Sequence, residues 1–218
     1  METEGCSVVI PASGVSLPGD LVMPGSATGI VVFAHGSGSS RLSPRNVQVA
    51  RVLNRSGLAT LLFDLLTERE AADRANVFDV PLLAGRLDAA RRWLRTQTET
   101  EALACGYFGA STGAAAALWA AAEQGSGVDA IVSRGGRPDL AAALLPLVRA
   151  ATLLIVGGAD EVVLDLNRAA AAQLESCMHE LAVVPGATHL FEEQGALERV
   201  ADLAASWFTR HLPQPARA

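Results

Sequence analysis

Residues 106–113 read GYFGASTG and run straight into AAAALWAAA. Gly109, Ser111 and Gly113 have the spacing G-x-S-x-G, set between an apolar run and a helix-forming one. A strand that turns directly into a helix on one residue forces that residue into a strained backbone conformation, and side chains two positions to either side would collide. Glycine at both places removes the collision. The strain lifts the serine hydroxyl to the rim of a sheet, at the positive end of the following helix, which is a placement for a nucleophile. The same pentapeptide also fits a glycine-rich turn in which Ser111 only caps the helix. A serine hydroxyl attacks only once its proton is taken, so the choice rests on whether a base and an orienting acid follow.

The histidines are His35, His179, His189 and His211. His35 ends an apolar run and leads into a glycine turn, His179 stands where a run begins, and His211 closes the last helical segment, where a cation suits the dipole. His189, in VVPGATHLFEE, follows the last apolar run on a loop released by Pro185 and Gly186. Ligands of open α/β sheets gather at that carboxyl edge, so His189 is the candidate base. Asp160, after LLIVGG, has the matching position for an acid that accepts the second imidazole N–H and stabilises the imidazolium formed during attack. Asp139, in RPDLAAALL, is the runner-up but reads as a helix start, and Asp129 precedes its strand. Ser111, Asp160, His189 is also the chain order expected of this architecture.

HGSGSS at 35–40 fails as a phosphate cradle because no GK[ST] follows. It suits an oxyanion loop, with the backbone amides of Ser37 and Thr112 converging on a carbonyl oxygen under attack. Arg134 and Arg137 in SRGGRPD, and Arg41 after the glycine loop, are candidates for gripping a substrate carboxylate as forked donors. Each fits a solvated loop residue equally well, and Arg45 and Asp64 share the ambiguity.

The elements that must hold these residues alternate. Apolar runs at 29–36, 58–65, 102–109, 129–133, 151–158 and 180–186 read as buried strands. Between them, SPRNVQVARVLNRSG offers Ser43 as cap, Pro44 at the first helical position and Gly57 at the close, while NVFDVPLLAGRLDAARRWLRTQ repeats apolar residues three and four apart. TERE at 67–70 has the spacing of a capping box and predicts a short extra helix. The first segment, CSVVIPASGVSLPGDLVMP, predicts an antiparallel hairpin. The class is therefore α/β, a mostly parallel sheet with helices on both faces, with no room for a large lid. One domain over 1–212 and a disordered tail at 213–218 are expected.

The chain of 218 residues is 50% hydrophobic and carries a net charge of -6, which supports a large core and gives no basic footprint for nucleic acid. It contains no lysine, which removes Schiff-base chemistry, a pyridoxal anchor and a serine–lysine pair. Cys6, Cys105 and Cys177 are too few for a disulfide framework and show no metal-ligand spacing. No apolar stretch is long enough to cross a bilayer, and METEGCSVVI carries acids where a secretory leader carries bases. A cytoplasmic protein with no membrane partner, no metal and no organic cofactor is expected, acting on a small-molecule ester. The oligomeric state is left open, with a homodimer as one option.

HGSGSSRLSPRN, LLFDLLT, GYFGASTGAAAAL, VSRGGRPDLA, LLIVGGADEVV and PGATHLFEE together resemble the dienelactone hydrolase branch of the α/β-hydrolase superfamily, in a serine form, from about residue 29 to about residue 211. The resemblance implies Ser111 as nucleophile, Asp160 as acid and His189 as base. Dienelactone hydrolases in the strict sense use a cysteine where this chain has Ser111, and Cys105 lies inside the strand. The expectation is a general carboxylesterase-type hydrolase that cleaves a small or short-chain ester or thioester through an acyl-enzyme. Its rivals are acyl transfer or perhydrolysis on the same residues, and a non-catalytic binding module on a hydrolase scaffold.

Overall fold

The computed structural model describes residues 5–213. Of the tail expected at 213–218, all but the first residue lies outside the described residues. The chain opens with the hairpin β1 (Gly5–Ala12) and β2 (Val15–Val22), paired antiparallel. Ser13 and Gly14 turn it at φ 43° and 83°, the doubly positive backbone that a two-residue hairpin loop demands. There follow β3 (Ile30–Ala34), α1 (Pro44–Arg55), β4 (Ala59–Phe63), α2 (Glu68–Ala71), α3 (Arg74–Val77), α4 (Val80–Leu94), β5 (Cys105–Ala110) and α5 (Thr112–Ala122). The chain continues with β6 (Ala130–Arg134), a 3-10 segment (Pro138–Leu147), β7 (Ala151–Gly157), α6 (Glu161–Ala171), β8 (His179–Val184) and α7 (Ala196–His211).

The sheet has the order β1-β2-β4-β3-β5-β6-β7-β8. From β4 to β8 every pairing is parallel, while β2 joins β4 antiparallel, so the hairpin extends the sheet as well as bordering it. Every residue of β3, β4, β5 and β6 is buried. That explains their continuous apolar sequence, since both faces of these strands are covered. On one face Tyr107, Ile131 and Leu154 pack with Leu87 of α4 and Leu118 of α5. On the other, Phe33, Phe108 and Val132 pack with Leu53 of α1 and with Trp207 and Phe208 of α7. Each large apolar side chain so buried contributes about 1.5–3 kcal/mol.

Local signals locate several ends. Thr67 and Glu70 form the expected capping box at α2, with the Glu70 N–H donating to Thr67 Oγ1 at 3.2 Å and the Thr67 N–H donating to Glu70 Oε2 at 2.9 Å. Ser43 does precede α1, but its hydroxyl makes no capping bond. Between β6 and β7 the chain forms only the 3-10 segment, so no lid covers the carboxyl edge from there. Among the described residues no helix is long and apolar enough to cross a membrane.

Candidate active site

Ser111 joins β5 to α5 at φ 51° and ψ −119°, a conformation that a non-glycine residue keeps only when its surroundings over-determine it. A Cβ at Gly109 would run into the backbone of Ala114, and one at Gly113 into the carbonyl oxygens of Ala34 and His35. Glycine is therefore what lets α5 leave the sheet so abruptly. The Ser111 N–H donates to the Arg134 carbonyl at 3.2 Å, and the Ser111 carbonyl accepts from Arg137 and Ala114, each at 3.1 Å. The backbone is held, but the hydroxyl caps nothing, so a helix-cap role is not what the fold makes of this serine.

The loops that carry Asp160 and His189 meet. His189 Nδ1 lies 2.7 Å from Asp160 Oδ2. Backbone bonds sew the loops together: Gly158 N–H donates to Val184 O at 2.8 Å and Ala159 N–H to Ala187 O at 2.9 Å. The His189 loop is further pinned by buried Phe191, at φ 56°, and by Glu193, whose Oε1 accepts from the Thr188 amide at 3.1 Å and the Thr188 hydroxyl at 2.6 Å. Sequence reasoning passed over Phe191 and Glu193, because nothing in LFEE marks which side chain turns inward. The structure shows no hydrogen bond between His189 Nε2 and Ser111 Oγ, and the ring's one side-chain partner is Asp160.

Gly135 brings the imidazole and the serine to adjoining places. It follows Arg134, whose carbonyl holds the Ser111 amide, and a Cβ on it would lie 3.5 Å from both Cε1 and Nδ1 of His189 and 3.3 Å from the His189 carbonyl. Its φ is +51°. Gly135→Ala is thus expected to strain the backbone and push the ring off its seat, lowering kcat/KM for an ester by roughly 10–100-fold, since small misplacements of a catalytic group cost that much. Steady-state kinetics beside a thermal melt checks this; unchanged kinetics would remove Gly135 from the site. Cys105, six places earlier on β5, is no rival nucleophile: burial pushes its thiol up to about 12.

The expected oxyanion residues are in contact, though not as two open donors. The Ser37 N–H donates to the Thr112 hydroxyl at 3.0 Å, while the Thr112 N–H has no acceptor among the described residues. His35, beside this loop, is a clamp: its Nε2 accepts from the Leu65 amide at 3.1 Å and its Nδ1 faces the Gly36 carbonyl at 3.0 Å. That pattern requires the neutral ring with its proton on Nδ1, and burial favours neutrality by lowering the imidazole pKa.

The candidate substrate arginines separate sharply. Arg137 forks onto Asp139, with Nε at 2.8 Å and Nη2 at 2.7 Å, so Asp139 is committed there and stands apart from His189. Arg41 is held by Asp20 at 3.1 Å and Asp64 at 2.7 Å, which also gives Asp64 its role. Arg134, only 8% exposed, has Nε and Nη1 enclosed without a partner, and burial together with the charge of Arg45 presses its guanidinium down to about 10. A cavity of about 850 Å³ opens beside the oxyanion loop, lined by Ser37, Arg41, Leu66, Thr67, Val77 and Thr112 among others. Among the described residues no cluster of His, Cys, Asp or Glu is arranged to hold a metal ion.

The parallel sheet with its antiparallel start, flanked by helices and carrying a strained serine on the β5–α5 elbow, defines an α/β-hydrolase fold. A crystal structure of a dienelactone hydrolase from Anabaena variabilis superposes with a TM-score of 0.94 at 53% identity, over 98% of this chain and 100% of that one. The sequence pattern of the dienelactone hydrolase family matches residues 17–211, and the chain belongs to that family. Est1E from Butyrivibrio proteoclasticus shares the fold, with a TM-score of 0.80 at 17% identity over 95% of this chain and 98% of its own. A Mycobacterium tuberculosis protein named "Putative phosphoribosyl transferase" is 59% identical over 208 residues, 95% of this chain and 47% of the relative. The chain thus spans about half the length of the curated relatives it matches.

Proposed function

We propose that the chain is a serine hydrolase that cleaves small carboxylic esters or thioesters through an acyl-enzyme. The observation that carries this reading is the 2.7 Å His189–Asp160 pair on the same rim as a serine held at φ 51° with its hydroxyl uncommitted. With its Nδ1–H donated to Asp160 Oδ2, His189 keeps Nε2 as the acceptor. It takes the Ser111 proton as Oγ attacks the substrate carbonyl, and Asp160 stabilises the imidazolium. The developing oxyanion takes the free Thr112 amide, and rotation of the Thr112 hydroxyl releases the Ser37 amide as the second donor. Imidazolium then protonates the leaving alcohol or thiol, and water repeats the sequence in reverse to free the acid and Ser111.

Short acyl groups fit best, because among the described residues no lid stands between β6 and β7 to shelter a long chain. Across p-nitrophenyl esters kcat/KM is expected to peak at acetate to butyrate and fall by about tenfold or more toward palmitate, as each lost pocket contact is worth a small factor. A steady rise to palmitate would overturn the short-chain assignment. The transferase name belongs to a protein of which this chain spans 47%, whereas the dienelactone hydrolase family pattern covers residues 17–211 of this chain. Hydrolysis is accordingly the reading for this chain.

A further inference from the structure

We infer that β8, the free edge of the sheet, is the interface through which two copies of this chain pair antiparallel across a two-fold axis at Leu181. The inference is independent of the hydrolase reading. β8 stands last in the sheet and pairs only with β7, in unbroken register from His179 to Val184. Met178 O accepts from the Thr152 amide at 2.9 Å and Val184 O from the Gly158 amide at 2.8 Å, so the backbone groups of Glu180 and Ala182, in step with them, bond inward. Those of His179, Leu181 and Val183 point away from the sheet, and nothing among the described residues bonds them. Such an edge is a template for a further strand, and native proteins blunt it with proline, lysine or a bulge. β8 has none of the three, and the chain contains no lysine at all. The opposite edge, β1, carries Pro11, which has no N–H to donate.

The sequence of β8 fits itself in one register. A two-fold pairing forms when the outward residues of both copies exchange their N–H and C=O groups. Centring on Leu181 sets His179 of each copy against Val183 of the other, and every outward group is used. Centring on Val183 would set Leu181 against Pro185, which cannot donate, and centring on His179 would set Val183 against Glu175, outside the strand. In the Leu181 register the side chains agree as well. On the face that α6 covers, Leu181 meets Leu181 of the second copy, flanked by Val183, which is 42% exposed in the single chain. On the α7 face exposed Met178 meets Val184, and Glu180 meets Ala182, so no like charges stand directly opposite. Glu180 lies 3.7 Å from Arg210 of its own α7. The axis brings the two Glu180–Arg210 pairs together as alternating charges, a complementarity that a second copy of this chain supplies. Antiparallel pairing points the two carboxyl rims in opposite directions, so both serine elbows stay open.

Sedimentation velocity from about 1 to 200 µM is expected to show a monomer–dimer equilibrium that moves toward dimer with concentration. Val183→Lys, at an exposed outward position, should leave the chain folded and monomeric. Glu180→Arg should weaken the dimer by about tenfold or more, and adding Arg210→Glu should restore it, a rescue that a local effect on folding would not give. Leu181→Cys in a Cys6→Ser background should oxidise to a covalent dimer, since residues paired in this way have Cα atoms about 5.5 Å apart, within disulfide reach. A native chain that stays monomeric at every concentration overturns the proposal and leaves the edge to an extended segment of a different protein. A dimer that survives Val183→Lys, or one in which Leu181→Cys forms no crosslink, uses another face and overturns it equally. Fluorophosphonate labelling of Ser111 is read separately, so these results do not judge the hydrolase reading.

Discussion

Ser111→Ala is expected to lower ester turnover by about 10⁴-fold or more and to abolish labelling by a fluorophosphonate probe, because loss of a nucleophile that works with its base as one unit removes nearly all of their joint effect. The fold should survive. The Ser111 side chain makes no capping bond, and the bonds that hold the elbow belong to its amide and carbonyl, which alanine keeps. A melting temperature within a few degrees of the native value, with labelling gone, is the expected pair of results. Retained labelling would mean that another residue reacts, and the hydrolase reading would need a new nucleophile.

The second large effect is expected from Asp160→Asn. Asp160 Oδ2 lies 2.7 Å from His189 Nδ1, and on the proposed reading it accepts that N–H and leaves Nε2 to receive the serine proton. An asparagine amide in that place donates instead, so the imidazole turns to the tautomer with its proton on Nε2 and cannot deprotonate Ser111. A fall in kcat of about 10⁴-fold with little change in KM is the expected size for such a wrong tautomer. Asp139→Asn is the matched control. Asp139 is bound to Arg137 and not to His189, so its loss should leave kcat within a few-fold of native. If Asp139→Asn proved the more damaging of the two, the acid would have been misassigned.

On the proposed reading the nucleophile is the Ser111 hydroxyl, and the structure offers no thiol in its place. The position on the elbow is Ser111, and the thiol on the same strand, Cys105, is fully enclosed with its pKa raised to about 12. A thiol in that state has no thiolate to offer. A serine on the elbow depends on its base far more than a thiolate would. If His189 is that base, the tight stitching of the 184–193 loop through Ala187, Thr188, Phe191 and Glu193 meets the need by holding the imidazole in a set orientation.

Much of this molecule could be read before any coordinates. Continuous apolar runs identified the buried parallel strands β3 to β7, since a strand covered on both faces has no polar side to alternate with, whereas β8, also expected to be buried, is the sheet's edge and buries only Val184. The glycines about Ser111 revealed the elbow because backbone strain is a local property of five residues. Chain order pointed to Asp160 and His189, because successive strands of a parallel sheet deliver their following loops to one rim. Other features depended on distances between segments far apart in sequence, and these only packing could decide. Asp139 and Arg137 found each other, Asp20 and Asp64 took Arg41, and the Thr112 hydroxyl occupied the Ser37 amide. Arg134 alone of the candidate arginines was left buried without a carboxylate among the described residues. An arginine's letter is the same whether it is paired, solvated or buried without a partner; burial and its neighbours make the difference, and those exist only after the chain has folded.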